Sequence, residues 1–255
     1  MIKEISNPLS WLSGAATAVV EFFLPRICHV CLGRISPGDE VICDTCRSDL
    51  LAVPGPICPK CGAGRTKIEE GEERCRECPK TAWFDSARGA VAYSPTARAM
   101  IHELKFQGHV ELAPLMARRC FQVIEDEWAF EEFDAIVPVP LHETRWRERG
   151  FNQAEEIGRE LERLTKIPMN LDALERIRPT RQQSTLHHKD RPGNVRDAFY
   201  CDRAAGERNP AAGVRDRRLL LLDDVITSCA TVNECARALK EAGARRVMVL
   251  VFARA

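Results

Sequence analysis

Leu219-Leu220-Leu221-Leu222 runs directly into Asp223-Asp224, then Val225-Ile226 and the turn Thr227-Ser228-Cys229-Ala230-Thr231. Four successive leucines leave no polar face, so the run reads as a strand buried on both sides, the kind found in parallel sheets. Two acids then stand at its carboxyl end, a hydroxyl-rich turn follows, and a helix opens near Val232. Ligands of open α/β sheets lie outside the carboxyl ends of the strands. A helix amino terminus favours phosphate. The fold class that follows is α/β, a parallel sheet flanked by helices. The bland alternative is an ordinary sheet strand ending in solvated acids.

This order of apolar run, acid pair, apolar pair and small hydroxyl turn resembles the signature by which type I phosphoribosyltransferases bind 5-phosphoribosyl 1-pyrophosphate (PRPP). The resemblance implies that Asp223 and Asp224 bond the ribose hydroxyls. It further implies that Thr227, Ser228, Cys229, Ala230 and Thr231 hold the 5′-phosphate. Cys229 stands where that family usually carries Gly, a residue that tolerates positive φ and close backbone approach. A cysteine there is expected to narrow the phosphate pocket. It also sets a thiol beside the phosphate, at a helix start that would lower its pKa. The reading requires both carboxylates, and the turn, to face a ligand rather than the interior.

Of twelve cysteines, eight form four Cys-x-x-Cys pairs: Cys28 with Cys31, Cys43 with Cys46, Cys58 with Cys61, and Cys75 with Cys78. Each pair offers two thiolates from one tight turn, and four thiolates satisfy a tetrahedral Zn²⁺. Eight ligands match two ions with nothing left over, and the near-equal gaps suggest two repeated zinc ribbons. Sites filled by protein ligands are structural rather than catalytic. The segment is poor in large apolar residues, so metal replaces a core. Sequential pairing is favoured, with Cys28, Cys31, Cys43 and Cys46 on one ion, although spacing leaves an interleaved scheme open. His29 reads as a bystander. Metal spacing rather than a disulfide framework argues for a reducing compartment, the cytoplasm. Glu69, Glu70, Glu72 and Glu73 beside Arg74 and Arg76 give the module no phosphate-binding face.

The formal net charge is zero, so no global field recruits nucleic acid or membrane. Leu9, Leu12, Ala16, Val19 and Phe23 recur at helical spacing behind Asn7 and Pro8, predicting a short amphipathic helix. Glu4 removes the basic start of a signal peptide, Glu21 interrupts a span, and no internal run is long and apolar enough to cross a bilayer. The expected division is an amphipathic helix within 1–25, a double zinc-ribbon module over 26–82 and an α/β domain over 83–255.

Within that domain, strands are predicted over 87–93, 133–140 and 247–252. A helix from Thr96 carries Met100 and Leu104 inward and ends at Lys105-Phe106-Gln107-Gly108, and a second runs over 110–125. Lys105 reads as a ligand contact or a capping charge, with capping slightly favoured. After Val137-Pro138-Val139-Pro140 comes a loop dense in arginine, holding Arg145, Arg147 and Arg149, just before a helix with Ala154, Ile157, Leu161 and Leu164 as its buried stripe. Guanidinium groups suit polyphosphate oxygens, so this loop is assigned to the pyrophosphate side. Its alternative is a solvated charged turn. Cys120, Cys201 and Cys235 read as core thiols.

Val137 to His142, Arg149-Gly150-Phe151-Asn152-Gln153, the cysteine pairs, Leu104 to Gly108, and the spaced Thr180, Gln183, Leu186, Asn194 and Ala198-Phe199 are together similar to the ComF family. These are bacterial phosphoribosyltransferase-like proteins linked to competence and DNA uptake, and the similarity extends from about Cys28 to Ala255. It implies a type I phosphoribosyltransferase-like sheet preceded by a zinc-ribbon module, with PRPP and Mg²⁺ bound. It also implies phosphoribosyl transfer to an acceptor that the family does not define. In related enzymes a segment matching the basic run 176–196 closes over PRPP, excluding water and placing cations at the departing pyrophosphate. Lys189 and Arg191 are the residues assigned to that contact. The rival reading is a non-enzymatic accessory of DNA uptake, whose basic run binds single-stranded DNA and whose zinc module docks a competence helicase. His187 and His188 read as solvated loop residues.

Overall fold

The computed structural model describes residues 26–35, 41–64, 75, 78–128, 130–180 and 191–255. The helix expected within 1–25 and the residues Lys189, His187 and His188 lie outside them, as does the side chain of Arg191. Two compact units are present, Met1–Asp49 and Leu50–Ala255. The division falls between the two cysteine clusters, so the second cluster shares a unit with the sheet.

In the first unit the chain doubles back through an Ile27–Arg34 bridge. Cys28 N–H donates to Gly33 O at 2.8 Å and Leu32 N–H to Cys28 O at 3.0 Å. Cys43 then leads into α1 (Asp44–Ser48), which buries Cys46. The second unit begins with the same construction: an Ile57–Gly64 bridge, Cys58 N–H to Ala63 O at 2.8 Å and Gly62 N–H to Cys58 O at 2.9 Å. Leu32 and Gly62 hold matching left-handed conformations, with φ of 59° and 67°. The ribbon repeat expected from spacing is thus written in the backbone. Gly62 cannot be enlarged, because a Cβ would stand 2.5 Å from Ala87 O.

The elements that follow are β1 (Ser86–Ala92), α2 (Pro95–His102), α3 (Ala113–Glu127), β2 (Ala135–Pro138), α4 (Glu143–Arg149) and α5 (Gln153–Thr165). Then come β3 (Glu175–Arg176), α6 (Arg191–Val195), β4 (Phe199–Tyr200), α7 (Ala205–Arg208), β5 (Arg218–Ile226), α8 (Ala230–Glu241) and β6 (Arg246–Arg254). The main sheet is four-stranded in the order β1-β6-β5-β2, and its pairs are parallel. β3 and β4 form a separate antiparallel pair. The polyleucine run lies in the sheet interior between β6 and β2, and Leu219 to Leu222 are fully buried. Leu219, Leu221, Val247, Val249 and Val251 join one core with α8, Phe84, Cys58 and Cys61. Leu222 points the other way, to Gly158 of α5, where a Cβ would lie 3.4 Å from Leu222 Cδ2. Side chains alternate across a strand, so this alternation decides where each acid at the end of β5 is aimed.

Between α2 and the next turn, Glu103–Gln107 widens into a π-helical turn closed by Gly108 at φ 74°. Such turns inside helices often mark functional positions. Here it turns Lys105 towards the end of β5. No helix among the described residues is long and apolar enough to cross a membrane.

Candidate functional site

The carboxyl end of β5 carries Asp223 and Asp224, which are 8% and 2% exposed. In this conformation both are buried, Asp224 beneath Lys105. Lys105 Nζ lies 2.5 Å from Asp224 Oδ2, so the lysine is a partner of the acid pair rather than a cap. Gln153 Nε2 donates to Asp224 Oδ1 at 3.3 Å, and Asp224 N–H donates to Asp223 Oδ1 at 2.9 Å. Burial alone would raise the Asp224 carboxyl, but the charge and hydrogen bond of Lys105, joined by Asp223 and Gln153, outweigh it and hold the pKa below the usual value. Burial and the neighbouring Asp224 charge push Asp223 well above it. Two adjoining carboxyls with opposite shifts are expected where one cation serves two acids.

The Arg149-Gly150-Phe151-Asn152-Gln153 motif now has a local explanation. Gly150, at φ 79°, closes α4 with its N–H on Trp146 O at 2.7 Å. Asn152 caps α5 by accepting Ala154 N–H at 3.0 Å, and its Nδ2 donates to Val139 O at 3.1 Å, holding the end of the β2 segment. Gln153 then reaches Asp224, and Arg149 Nη1 donates to Gln153 Oε1 at 2.8 Å. The Arg149 guanidinium also lies 5.1 Å from the Phe106 ring centre.

Arg145 and Arg147 sit differently. The arginine-dense stretch is the helix α4, not a loop, because Glu143–Arg147 and Arg145–Glu148 pair along its exposed face. Of the three arginines, Arg149 is the one that joins the acid pair through Gln153. Arg176, unremarked within the basic run, lies over the Phe199 ring at 5.3 Å and feels the Asp223 charge.

Thr227, Ser228 and Cys229 form the turn into α8, Ala230 and Thr231 open that helix, and residues 225–232 line a small cavity of about 20 Å³. Ser228 Oγ is buried without a hydrogen-bond partner among the described residues. The first N–H groups of α8 have no partner inside the helix. Cys229 adopts φ 59°, the left-handed conformation for which Gly is suited. It lines that cavity but is buried in the core that also holds Cys61, and the neighbouring Cys61 together with burial raises its pKa rather than lowering it. Cys120, Cys201 and Cys235 are buried, and burial raises each.

The cysteines gather as Cys28, Cys31, Cys43 and Cys46, and as Cys58, Cys61, Cys75 and Cys78, each group with all sulfurs within 4.8 Å of one another. Pairing is therefore sequential. Measured separations are 3.7 Å for Cys31–Cys43, 3.6 Å for Cys58–Cys78 and 3.4 Å for Cys61–Cys75. Tetrahedral Zn–S bonds of about 2.3 Å place their sulfurs about 3.8 Å apart, so both donor sets fit structural zinc.

Residues 19–79 match the double zinc ribbon domain family. The chain is 28% identical over 242 residues to Competence protein F of Haemophilus influenzae, covering 93% of this chain and 100% of that protein. It is 28% identical over 234 residues to DNA utilization protein YhgH of Escherichia coli, covering 91% and 98%. Competence protein ComFC of Bacillus subtilis is 28% identical over 212 residues, 80% of each chain. Among solved structures, the glutamine PRPP amidotransferase from B. subtilis complexed with ADP and GMP matches at TM-score 0.38 and 18% identity. That match covers 59% of this chain and 30% of the other.

Proposed function

We propose that the chain is a ComF-family protein that binds PRPP with Mg²⁺ and transfers the phosphoribosyl group to an acceptor, its amino-terminal part matching the double zinc ribbon family. The observation that carries this reading is the turn after β5. A buried, unpartnered Ser228 hydroxyl and a left-handed residue 229 precede the helix start, directly beyond an acid pair. The Thr227–Thr231 turn takes the 5′-phosphate, and Asp223 and Asp224 take the ribose hydroxyls and the Mg²⁺-bearing side. Because Lys105 now covers Asp224, ligand entry requires the ammonium to leave that carboxylate. The departing Nζ then becomes a cation for the pyrophosphate. In the reaction the bond from ribose C1 to pyrophosphate breaks, the pyrophosphate leaves with the electron pair, and the acceptor nucleophile bonds to C1. In this reading Arg149, which bonds Gln153, supports that leaving group, and Lys189 and Arg191 are assigned to it from sequence alone. The thiol-rich composition suits a reducing cytoplasm.

The buried acid pair and the relatives named for competence and DNA utilization favour one further reading. It is a non-enzymatic role in DNA handling, with single-stranded DNA or a competence helicase as partner. Calorimetry with PRPP and Mg²⁺, on the wild type and on the Asp223→Asn, Asp224→Asn double variant, decides between them. Saturable, Mg²⁺-dependent binding that the double variant loses supports the transferase reading. No PRPP binding, together with DNA binding indifferent to both substitutions, overturns it.

A further inference from the structure

Three separate ties run from the second cysteine cluster to the turn after β5. Cys229 and Cys61 are packed in the same buried core. Arg254, at the end of β6 and 3% exposed, donates from Nε to Cys61 O at 3.1 Å and from Nη1 to Thr227 O at 3.0 Å. Its Nη2 also lies 3.8 Å from Cys61 Sγ. Asn233 of α8 accepts Trp83 N–H at 2.8 Å and donates to Thr81 O at 3.0 Å, fixing the first turn of the helix to the segment that follows the second cluster. One guanidinium therefore clasps both a cluster cysteine and the carbonyl that opens the turn. The residue in the turn's left-handed position is buried in the core that holds the same cysteine. A turn serving only as a phosphate cradle needs neither link, and Gly at position 229 would supply the backbone conformation by itself.

We propose that the second cysteine cluster is coupled to the phosphate turn through Cys61, Cys229 and Arg254, so that metal in the cluster and ligand at the turn stabilise one another. The proposal rests on the PRPP reading above and adds a regulatory consequence: loss of metal from this cluster loosens the turn. Coupling is reciprocal, so ligand must also tighten metal binding in this cluster. The cluster Cys28, Cys31, Cys43 and Cys46 lies in the other compact unit and serves as the internal control.

Equilibrium competition for zinc between the metal-loaded full chain and a chromophoric chelator, with and without Mg²⁺-PRPP, tests this. Ligand should tighten one zinc site about fivefold or more and leave the other unchanged. Arg254→Lys removes the two-armed bridge between Cys61 and Thr227. It should still bind Mg²⁺-PRPP by calorimetry while losing most of that protection. If PRPP binds the wild type and neither ion is protected, or if Arg254→Lys protects as fully as wild type, the coupling is overturned alone. If the wild type does not bind PRPP, the proposal falls together with the reading beneath it.

Discussion

Lys105 Nζ stands 2.5 Å from Asp224 Oδ2, and the two come from a π-helical turn and a central strand far apart in sequence. The pair is mostly screened from water, so removing one partner leaves a buried charge. Lys105→Met should therefore cost about 3 kcal/mol at neutral pH, the order expected when one member of a buried pair is lost. The folded Asp224 carboxyl sits below its ordinary pKa. Its contribution is fully present above the unfolded value, about pH 4, and fades as pH falls through the lower folded value. Urea midpoints measured from pH 7 down to pH 3 should show the gap between wild type and variant closing with acid. A gap that is constant with pH would mean the lysine matters only for packing.

Asp223 behaves in the opposite sense. Its folded pKa lies well above that of an exposed carboxyl, with burial the main cause and Asp224 the next. The folded state thus binds this proton more tightly than the unfolded chain. Its stability declines as pH rises from about 4 through the raised value. Asp223→Asn retains an acceptor for Asp224 N–H and deletes the charge. The variant should be more stable than wild type at pH 7 and equal to it near pH 4. On the proposed function it also binds PRPP more weakly, so stability and affinity should move in opposite directions. Thermal melts at the two pH values, paired with calorimetry, check both.

Much of this was legible because burial on two faces leaves a plain trace. Leu219 to Leu222 could sit only inside a sheet, and cysteine spacing announced both clusters. Asn152 and Gly150 also carry recognisable chemistry, a cap and a left-handed helix end. The Lys105–Asp224 pair was not legible, since no local pattern says which distant cation will reach a strand end. Nor was the aim of Cys229. A left-handed residue swings its Cβ away from the course of the neighbouring chain, and only the fold shows that Cys61 lies there. The helix α4 was the avoidable miss. Glu143–Arg147 at i,i+4 and Arg145–Glu148 at i,i+3 were visible as helical ion pairs, and they occupy the arginines that had been read as a polyphosphate loop.

The two cysteine clusters should differ sharply when mutated. Cys58 and Cys61 belong to the same packed core as Leu219, Leu221 and α8, whereas Cys28 lies in the other unit. Cys58→Ser, by weakening the metal site, should lower the melting temperature of the sheet unit by several degrees, about 4 °C for each 1–2 kcal/mol lost in a domain of this size. Cys28→Ser should leave that transition in place. Calorimetric scans of both variants, with zinc content measured alongside, would show a shared loss if the sheet depended equally on both ions.

The arginines of α4 offer a within-helix comparison. Arg149 bonds Gln153, which bonds Asp224, while Arg147 is 72% exposed and pairs with Glu143 on the same helix. An exposed i,i+4 pair contributes only a few tenths of a kcal/mol to a helix. A charge-assisted bond to a pyrophosphate oxygen contributes enough to change affinity about tenfold. Arg149→Ala should therefore weaken Mg²⁺-PRPP binding by about that factor, and Arg147→Ala should stay within about threefold of wild type. Equal losses from the two substitutions, measured by titration calorimetry at fixed ionic strength, would point to a diffuse basic surface such as DNA binding requires. A loss confined to Arg149 ties affinity to the arginine of α4 that the fold connects to the acids.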